Sequence, residues 1–136
     1  MATDIAAILD NLVRFYPFHG KVMISVGAGG GQFAGYGRAA RRVIAVDSDA
    51  AAHAALAERV AALGLAKKFV LVESDFMAVT ERADVVLFEF CLHEMHDPGA
   101  ALAHAATLAP DVVILDHAPG SPWSYAADES EKVAAS

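Results

Sequence analysis

Short apolar runs rich in β-branched residues recur along the chain, and turn-forming or charged residues separate them. Runs of this length and composition predict strands that are buried on both faces of a sheet. We expect five such strands, at Val22–Val26, Val43–Val46, Phe69–Val72, Asp84–Phe88 and Val112–Leu115.

Helical patterns alternate with these runs. They cover residues 4–13, 49–63 and 97–109, and Asp49 and Asp97 are natural N-caps for the second and third helices. The alternation predicts an α/β fold: a single-domain, doubly wound parallel sheet in the order 3-2-1-4-5, with helices on both faces. Only about ten residues separate the third strand from the fourth, which is short for a parallel crossover.

A glycine loop follows the first strand at residues 27–31, and the second strand ends in Asp47. Glycines there let the backbone adopt conformations closed to other residues and approach a ligand closely. Strand, glycine loop, helix, strand and terminal acid indicate a nucleotide-binding unit whose acid accepts hydrogen bonds from ribose hydroxyls. A dinucleotide fingerprint, G-x-G-x-x-G, would need glycine where Gln32 stands, whereas the chain carries G-x-G-x-G.

This loop and three later segments resemble the class I S-adenosylmethionine-dependent methyltransferases. Val46-Asp47-Ser48 is similar to the family's ribose-binding acid, Ser74-Asp75-Phe76 to its adenine-binding acid, and Asp84–His93 to its fourth strand. The resemblance covers residues 21–116 and implies a Rossmann-like fold, S-adenosyl-L-methionine as cofactor and methyl transfer as activity. The residues it assigns to the cofactor are Gly27, Ala28, Gly29, Gly31, Asp47, Ser48, Asp75, Phe76, Glu89 and Phe90.

We expect one methyltransferase-like domain over residues 1–136. It comprises an N-terminal helix and aromatic turn (1–20), the cofactor-binding core (21–116) and a C-terminal loop and helix (117–136). The predicted sheet departs from the family by lacking its last two strands. In addition, Ser25 stands where many members carry an acid that helps orient the cofactor's methionine end.

The three assigned acids also have structural interpretations. Glu89 lies in the apolar fourth strand, where a carboxylate is costly to bury without a partner. The cofactor's ammonium is one partner, and an internal donor or solvent at the strand's end is the alternative. Asp47 and Asp75 stand at strand tips, where ligands bind in open α/β sheets, but each can instead cap a helix or turn.

His93 and His96 follow the fourth strand and His117 follows the fifth, so we expect all three at one mouth of the sheet. A catalytic general base is the preferred interpretation, because imidazole can take a proton from a hydroxyl, amine or thiol. Metal ligation is the alternative, yet the two nearer histidines are three residues apart and not four, so no H-E-x-x-H motif is present. His93 can also simply pack against the adenine-side loop.

Aromatic residues cluster in a turn at residues 15–20, just before the first strand. Such a cluster is most often part of the core. The alternative is a substrate-binding role for Tyr16 and His19, which Trp123 of the C-terminal loop would share.

The formal net charge of −7 argues against a surface for nucleic-acid backbones and favours a small-molecule methyl acceptor. No apolar stretch is long enough to cross a bilayer, and the first residues do not resemble a signal peptide. The single cysteine, Cys91, excludes an internal disulfide and fits a reducing compartment, so we expect a cytoplasmic protein.

The predicted fifth strand forms the edge of the sheet and carries neither lysine nor proline in Val112–Leu115. Soluble proteins normally cover such an edge, so we expect a homodimer. The predicted function is methyl transfer from S-adenosyl-L-methionine to a small molecule. The alternatives are a non-catalytic protein or subunit that binds S-adenosylmethionine and, less favoured, an NAD-binding domain.

Overall fold

A computed structural model describes residues 5–29 and 31–116 of the chain. Helices and strands alternate there in the order α1 (Ile5–Phe15), β1 (Val22–Val26), β2 (Arg42–Asp47), α2 (Ala50–Ala62), β3 (Phe69–Glu73), β4 (Val85–Glu89), α3 (Pro98–Leu108) and β5 (Asp111–Leu115). Short 3-10 turns lie at Ala34–Arg38, Ala66–Lys68, Phe76–Ala78 and Leu92–Glu94.

The strands form one parallel sheet in the order β3-β2-β1-β4-β5, which confirms the predicted topology. β1 is central, with Val26 paired to Val46 on one side and to Phe88 on the other. Because the strands are parallel and in register, the loops that follow them leave the sheet on the same side. We call this side the carboxyl edge and the opposite side the amino edge.

Successive side chains of the central strands point to opposite faces of the sheet. Met23 and Leu87 face a layer built from α1, the turn Ala34–Arg38 and α2. Ile24 and Phe88 face the layer that contains α3. All four side chains are fully buried, as expected for a parallel sheet covered on both faces.

Two crossovers contain only a 3-10 turn. Phe76–Ala78 connects β3 to β4, and Ala34–Arg38 connects β1 to β2. Gly35 and Gly37 disfavour a longer helix in the second connection. Gly37 also permits close packing, because a Cβ atom there would lie 2.6 Å from the ring of Phe69 on β3.

α2 and α3 begin at the predicted caps. Asp49 Oδ1 accepts a hydrogen bond from the Ala51 amide, and Asp97 Oδ1 accepts one from the Ala100 amide. Each carboxylate thus satisfies an amide that the first helical turn leaves without a partner. No helix within residues 5–29 and 31–116 is long and apolar enough to cross a membrane.

Polar contacts hold the amino edge of the sheet. The Tyr16 hydroxyl donates to Asp111 Oδ2 at 2.5 Å and accepts from Lys21 Nζ at 2.9 Å, while His19 is exposed in the turn before β1. The prediction that Tyr16 and His19 lie beside the ligand is therefore wrong. A segment that precedes a strand joins it at its amino end, whereas ligands bind beyond the carboxyl ends of such sheets.

Candidate functional site

A cavity of about 790 Å³ opens at the carboxyl edge, beyond the ends of β1, β2, β3 and β4. Ligands bind at this place in open parallel α/β sheets. The predicted site residues that line the cavity are Gly27, Ala28, Gly29, Asp47, Ser48, Asp75, Phe76, Glu89, Phe90 and His96.

The glycine loop contributes to the cavity through its first half. Gly27 has a φ of +79°, and a Cβ atom there would lie 2.7 Å from the Cβ atom of Cys91, so only glycine allows the loop to pass the end of β4. Gly31 was predicted to bind the cofactor, but it does not line the cavity. A Cβ atom at Gly31 would lie 2.7 Å from Leu56 Cδ1, and this glycine instead allows the loop to pack against α2.

Asp47 lies at the tip of β2 on the cavity wall. Its Oδ1 accepts the Asp49 amide at 2.9 Å, so the turn-capping role considered for Asp47 is present, whereas Asp49 and not Asp47 caps α2. The Asp47 carbonyl accepts the Ser74 amide at 3.0 Å and lies 3.1 Å from His53 Nε2. These contacts fix the tip of β2 against α2 and the loop after β3.

Asp75 and Phe76 form the wall beyond β3. Asp75 Oδ1 accepts the Met77 amide at 3.0 Å, so the capping role considered for Asp75 is present. The Phe76 ring is buried and lies edge-on to Phe88 and to His104, at 5.4 and 5.1 Å between ring centroids. The wall therefore offers a fixed aromatic group next to a carboxylate.

Glu89 ends β4 and is only 4% exposed, yet it lines the cavity. Its Oε2 accepts hydrogen bonds from Ser25 Oγ and, at 2.6 Å, from the Tyr36 hydroxyl. The alternative considered for Glu89, an internal hydrogen-bond donor, is thus present in the form of the Ser25 and Tyr36 hydroxyls. Burial raises the pKa of Glu89 to about 7, while the hydrogen bonds from Ser25 and Tyr36 act in the opposite direction.

Phe90 continues the wall in an unusual backbone conformation. Its φ is +54°, which a residue with a side chain seldom adopts, and its amide donates to the Leu115 carbonyl at 2.7 Å. Its ring lies 5.5 Å from that of Phe33. Residues held in such conformations occur often at ligand sites, because the surrounding structure must enforce them.

Of the three predicted catalytic histidines, only His96 has a side chain within the described structure. It is exposed and lines the cavity together with Glu94 and Asp97. The His93 side chain and all of His117 lie outside the described residues, as does Trp123. Among the residues that the structure does describe, no group of three or more His, Cys, Asp or Glu side chains is arranged to hold a metal ion.

Tyr36 is a buried partner of Glu89 that the sequence did not predict. It lies on the 3-10 turn after the glycine loop, is 1% exposed and binds both Ser25 and Glu89. Its own neighbourhood in the sequence gave no signal, because glycines on both sides predict a poor helix. The available signal was indirect: a carboxylate in an apolar strand needs a donor, and tyrosine can serve as one even when buried.

The cavity is acidic. No lysine or arginine from the described part of the chain lines it. The carboxylate residues that line it are Asp47, Asp75, Glu89, Glu94 and Asp97. A cavity with this charge favours cationic ligands and opposes anionic ones.

Residues 1–133 match the family model of a methyltransferase domain. The chain belongs to this family. A comparison with curated proteins finds no significant match.

Solved structures share the fold. A putative RNA methyltransferase from Pyrococcus horikoshii is 25% identical, with a TM-score of 0.63 over 77% of this chain and 52% of its own. The magnesium protoporphyrin IX methyltransferase of Synechocystis, solved with bound S-adenosylmethionine, is 18% identical, with a TM-score of 0.64 and the same coverage. A SAM-dependent methyltransferase from Aquifex aeolicus is 18% identical, with a TM-score of 0.66 over 79% of this chain and 68% of its own. The chain thus spans about half the length of the first two.

The buried carboxyl of Glu89 predicts a pH-dependent effect on stability. Because its pKa in the folded chain is raised from 4.5 to about 7, its contribution to stability is full below about pH 4.5 and is lost as the pH rises through 7. Glutamine keeps an acceptor for the two hydroxyls without a charge. We expect Glu89→Gln to raise the free energy of unfolding at pH 8 by roughly 2 kcal/mol, and by much less at pH 5.

Urea unfolding of the unliganded domain at both pH values measures this effect. Glu73→Gln is the matched control, since Glu73 is exposed at the end of the neighbouring β3 and should show no such pH dependence. An equal effect of Glu89→Gln at pH 5 and pH 8 would contradict the prediction.

Proposed function

We propose that this domain binds S-adenosyl-L-methionine in the carboxyl-edge cavity and transfers its methyl group to a small-molecule acceptor. The observation that carries the proposal is the convergence of the glycine loop and three strand-end acids on one cavity, in a chain of the methyltransferase-domain family. The bound cofactor of the Synechocystis relative supports the choice of ligand.

The residues present fit this cofactor by charge and shape. S-adenosylmethionine carries a sulfonium and an ammonium against one carboxylate, and the cavity wall is acidic. Asp47 would accept hydrogen bonds from the ribose hydroxyls, and Asp75 with Phe76 would hold the adenine. Gly27 and Gly29 would let the backbone approach the methionine portion, and Glu89 would bind the ammonium.

When bound, S-adenosylmethionine supplies a methyl group on a positively charged sulfur. The chain's contribution is orientation of the acceptor and removal of its proton. His96 is the described residue best placed for proton removal, because its imidazole lies on the exposed rim of the same cavity. We propose His93 and His117 as further candidates from their positions after β4 and β5.

The acceptor is proposed to be a small molecule. An RNA or DNA backbone needs clustered lysine and arginine, and none lines the described cavity. The net charge of −7 adds to the repulsion of a polyanion. For this reason we do not extend the RNA acceptor of the Pyrococcus relative to this chain.

We also propose a cytoplasmic location, because a chain with a single cysteine fits a reducing compartment.

A cofactor-binding domain without transferase activity is the second candidate. One observation favours it: the described residues form five strands, whereas the resemblance implies a sheet with two more. Binding without turnover would distinguish this candidate from the first.

Binding of S-adenosylhomocysteine, measured by calorimetry, tests the ligand. Asp47→Asn should weaken it by roughly 1.5–3 kcal/mol, because charge-assisted hydrogen bonds to the ribose are lost. Asp49→Asn is the matched control, since Asp49 caps α2, does not line the cavity, and asparagine is an equally good cap. Preferential binding of NAD, or equal losses in the two variants, would refute the assignment.

Methyl transfer from labelled S-adenosylmethionine to a panel of small amines, phenols and thiols tests the activity. His96→Asn should lower turnover by roughly 10²-fold or more while leaving affinity for S-adenosylhomocysteine nearly unchanged. His19→Asn, an exposed histidine at the amino edge, should alter neither. Chelators should have no effect. Binding without transfer to any acceptor would support the non-catalytic candidate, and loss of activity on chelation would indicate a metal site.

We also propose a homodimer formed through β5. Within the described residues β5 pairs only with β4, and Val112 and Ile114 are half-buried. An interface of this kind should bury at least roughly 1,000 Å² in total. Sedimentation should show a dimer that Ile114→Lys dissociates and that Val70→Lys, on the opposite edge strand β3, does not. A monomeric wild type at micromolar concentration would contradict the proposal.

A further inference from the structure

Three oxygen atoms form a buried triangle at the base of the cavity. Glu89 Oε2 contacts Ser25 Oγ and lies 2.6 Å from the Tyr36 hydroxyl, and the two hydroxyls lie 2.8 Å from each other. Ser25 is 0% and Tyr36 is 1% exposed. The hydrogen bonds of the described residues involve only Oε2 of this carboxyl, so the other oxygen, Oε1, takes no part in the triangle.

The triangle can satisfy Glu89 in both of its protonation states. When the carboxyl is ionised, the hydroxyls of Ser25 and Tyr36 can both donate to Oε2. When it is protonated, each of the three contacts can hold one hydrogen: Oε2 donates to Ser25, Ser25 to Tyr36, and Tyr36 back to Oε2. Every hydroxyl hydrogen in the triangle has an acceptor in both states, so gain or loss of the proton requires only rotation of the Ser25 hydroxyl.

No cation from the described residues offsets the charge of this carboxyl. The titratable groups that interact with it are the Tyr36 hydroxyl and Cys91 in the loop after β4, and Cys91 in turn lies in the field of Glu94 and Asp116. Asp47, Asp75, Asp97 and His96 face the same cavity. Burial accordingly raises the pKa of Glu89 to about 7, and burial together with the Glu89 charge raises that of Cys91 to about 12.

We propose that Glu89 is a proton-coupled anchor for the cofactor: at mildly acidic pH its carboxyl holds a proton in the unliganded domain and releases that proton to solvent when the cofactor's ammonium binds. Ser25 and Tyr36 are positioning residues that support both states. The inference rests on the proposed function, because it takes the ammonium to be the group that faces Glu89. It also explains how a chain with serine at the β1 position, where an acid is common, presents a carboxylate from β4 instead.

The sign of the pH dependence follows from the two protonation states. An ammonium stabilises the carboxylate, so the pKa of Glu89 falls on binding. Affinity for S-adenosylhomocysteine should be full above about pH 7 and should fall by about tenfold per pH unit as the pH drops below that value. 5′-Methylthioadenosine carries the nucleoside without the ammonium, and its affinity should not show this dependence.

Tyr36→Phe tests whether Tyr36 sets the pKa of Glu89 or only supports the structure around it. The Tyr36 hydroxyl donates to the carboxylate and so lowers the pKa of Glu89. Its removal should shift the pH profile of S-adenosylhomocysteine affinity to higher pH, with a loss at pH 7 that disappears as the pH rises. A purely structural role would reduce affinity by the same factor at every pH.

Calorimetry of S-adenosylhomocysteine binding to the full chain, from pH 5.5 to 8, tests the proposal. Runs in two buffers of different ionisation enthalpy count the protons released. We expect roughly one proton per binding event at pH 6 and almost none at pH 8. His96→Asn should keep this proton release, whereas Glu89→Gln should abolish it and flatten the pH profile.

Binding of wild type with no proton release at pH 6 would overturn the proposal and leave the proposed function standing. Proton release that vanishes in His96→Asn, or a pH-independent loss in Tyr36→Phe, would also overturn it. No binding of S-adenosylhomocysteine at any pH would instead refute the proposed function. If Glu89→Gln fails to fold, the proton count of wild type and the profile of Tyr36→Phe still decide the question.

Discussion

Parallel pairing of β1 with both β2 and β4 is the constraint on which the site depends. In this register Val26 lies between Val46 and Phe88, so the glycine loop, Asp47 and Glu89 emerge side by side at the carboxyl edge. A shift of any central strand by one residue would turn its side chains to the other face. In the central strands such a shift would move Ser25 or Glu89 to the face opposite Tyr36, with which both are hydrogen-bonded.

The same alternation creates the polar cluster beneath the cavity. Ser25 lies on the face of β1 that carries Met23, Glu89 lies on the matching face of β4, and Tyr36 belongs to the layer that covers this face. Burial of the Glu89 carboxyl disfavours its charge, which costs stability at neutral pH. A ligand cation would recover that cost, so the cluster is better suited to binding than to stability.

The sequence predicted the features that depend on local pattern. β-Branched runs predicted the strands, and Asp49 and Asp97 predicted the beginnings of α2 and α3 because a cap acts on its own helix turn. Asp47 and Asp75 were predicted at strand ends because each follows a β-branched run closely in the sequence. The strand order that was predicted with the help of crossover handedness is confirmed.

Features that depend on distant contacts were not predicted. Tyr36 and Glu89 are 53 residues apart, and nothing near either residue specifies the other. Gly27 and Gly31 belong to one loop but have different roles, which only their distant contacts reveal. Gly27 packs against Cys91 and lines the cavity, whereas Gly31 packs against Leu56 of α2. Tyr16 lies at the amino edge, against Asp111, because the segment ahead of β1 joins the sheet at the end opposite the cavity.

A crystal structure of the chain with S-adenosylhomocysteine bound tests the central claim most directly, namely that the strand-end acids of one cavity recognise this cofactor. The account predicts the ribose hydroxyls on Asp47, the adenine beside Asp75 and Phe76, and the ammonium within hydrogen-bonding distance of the Glu89 carboxylate. A ligand bound outside the carboxyl-edge cavity, or one whose amino-acid portion points away from Glu89, would contradict it.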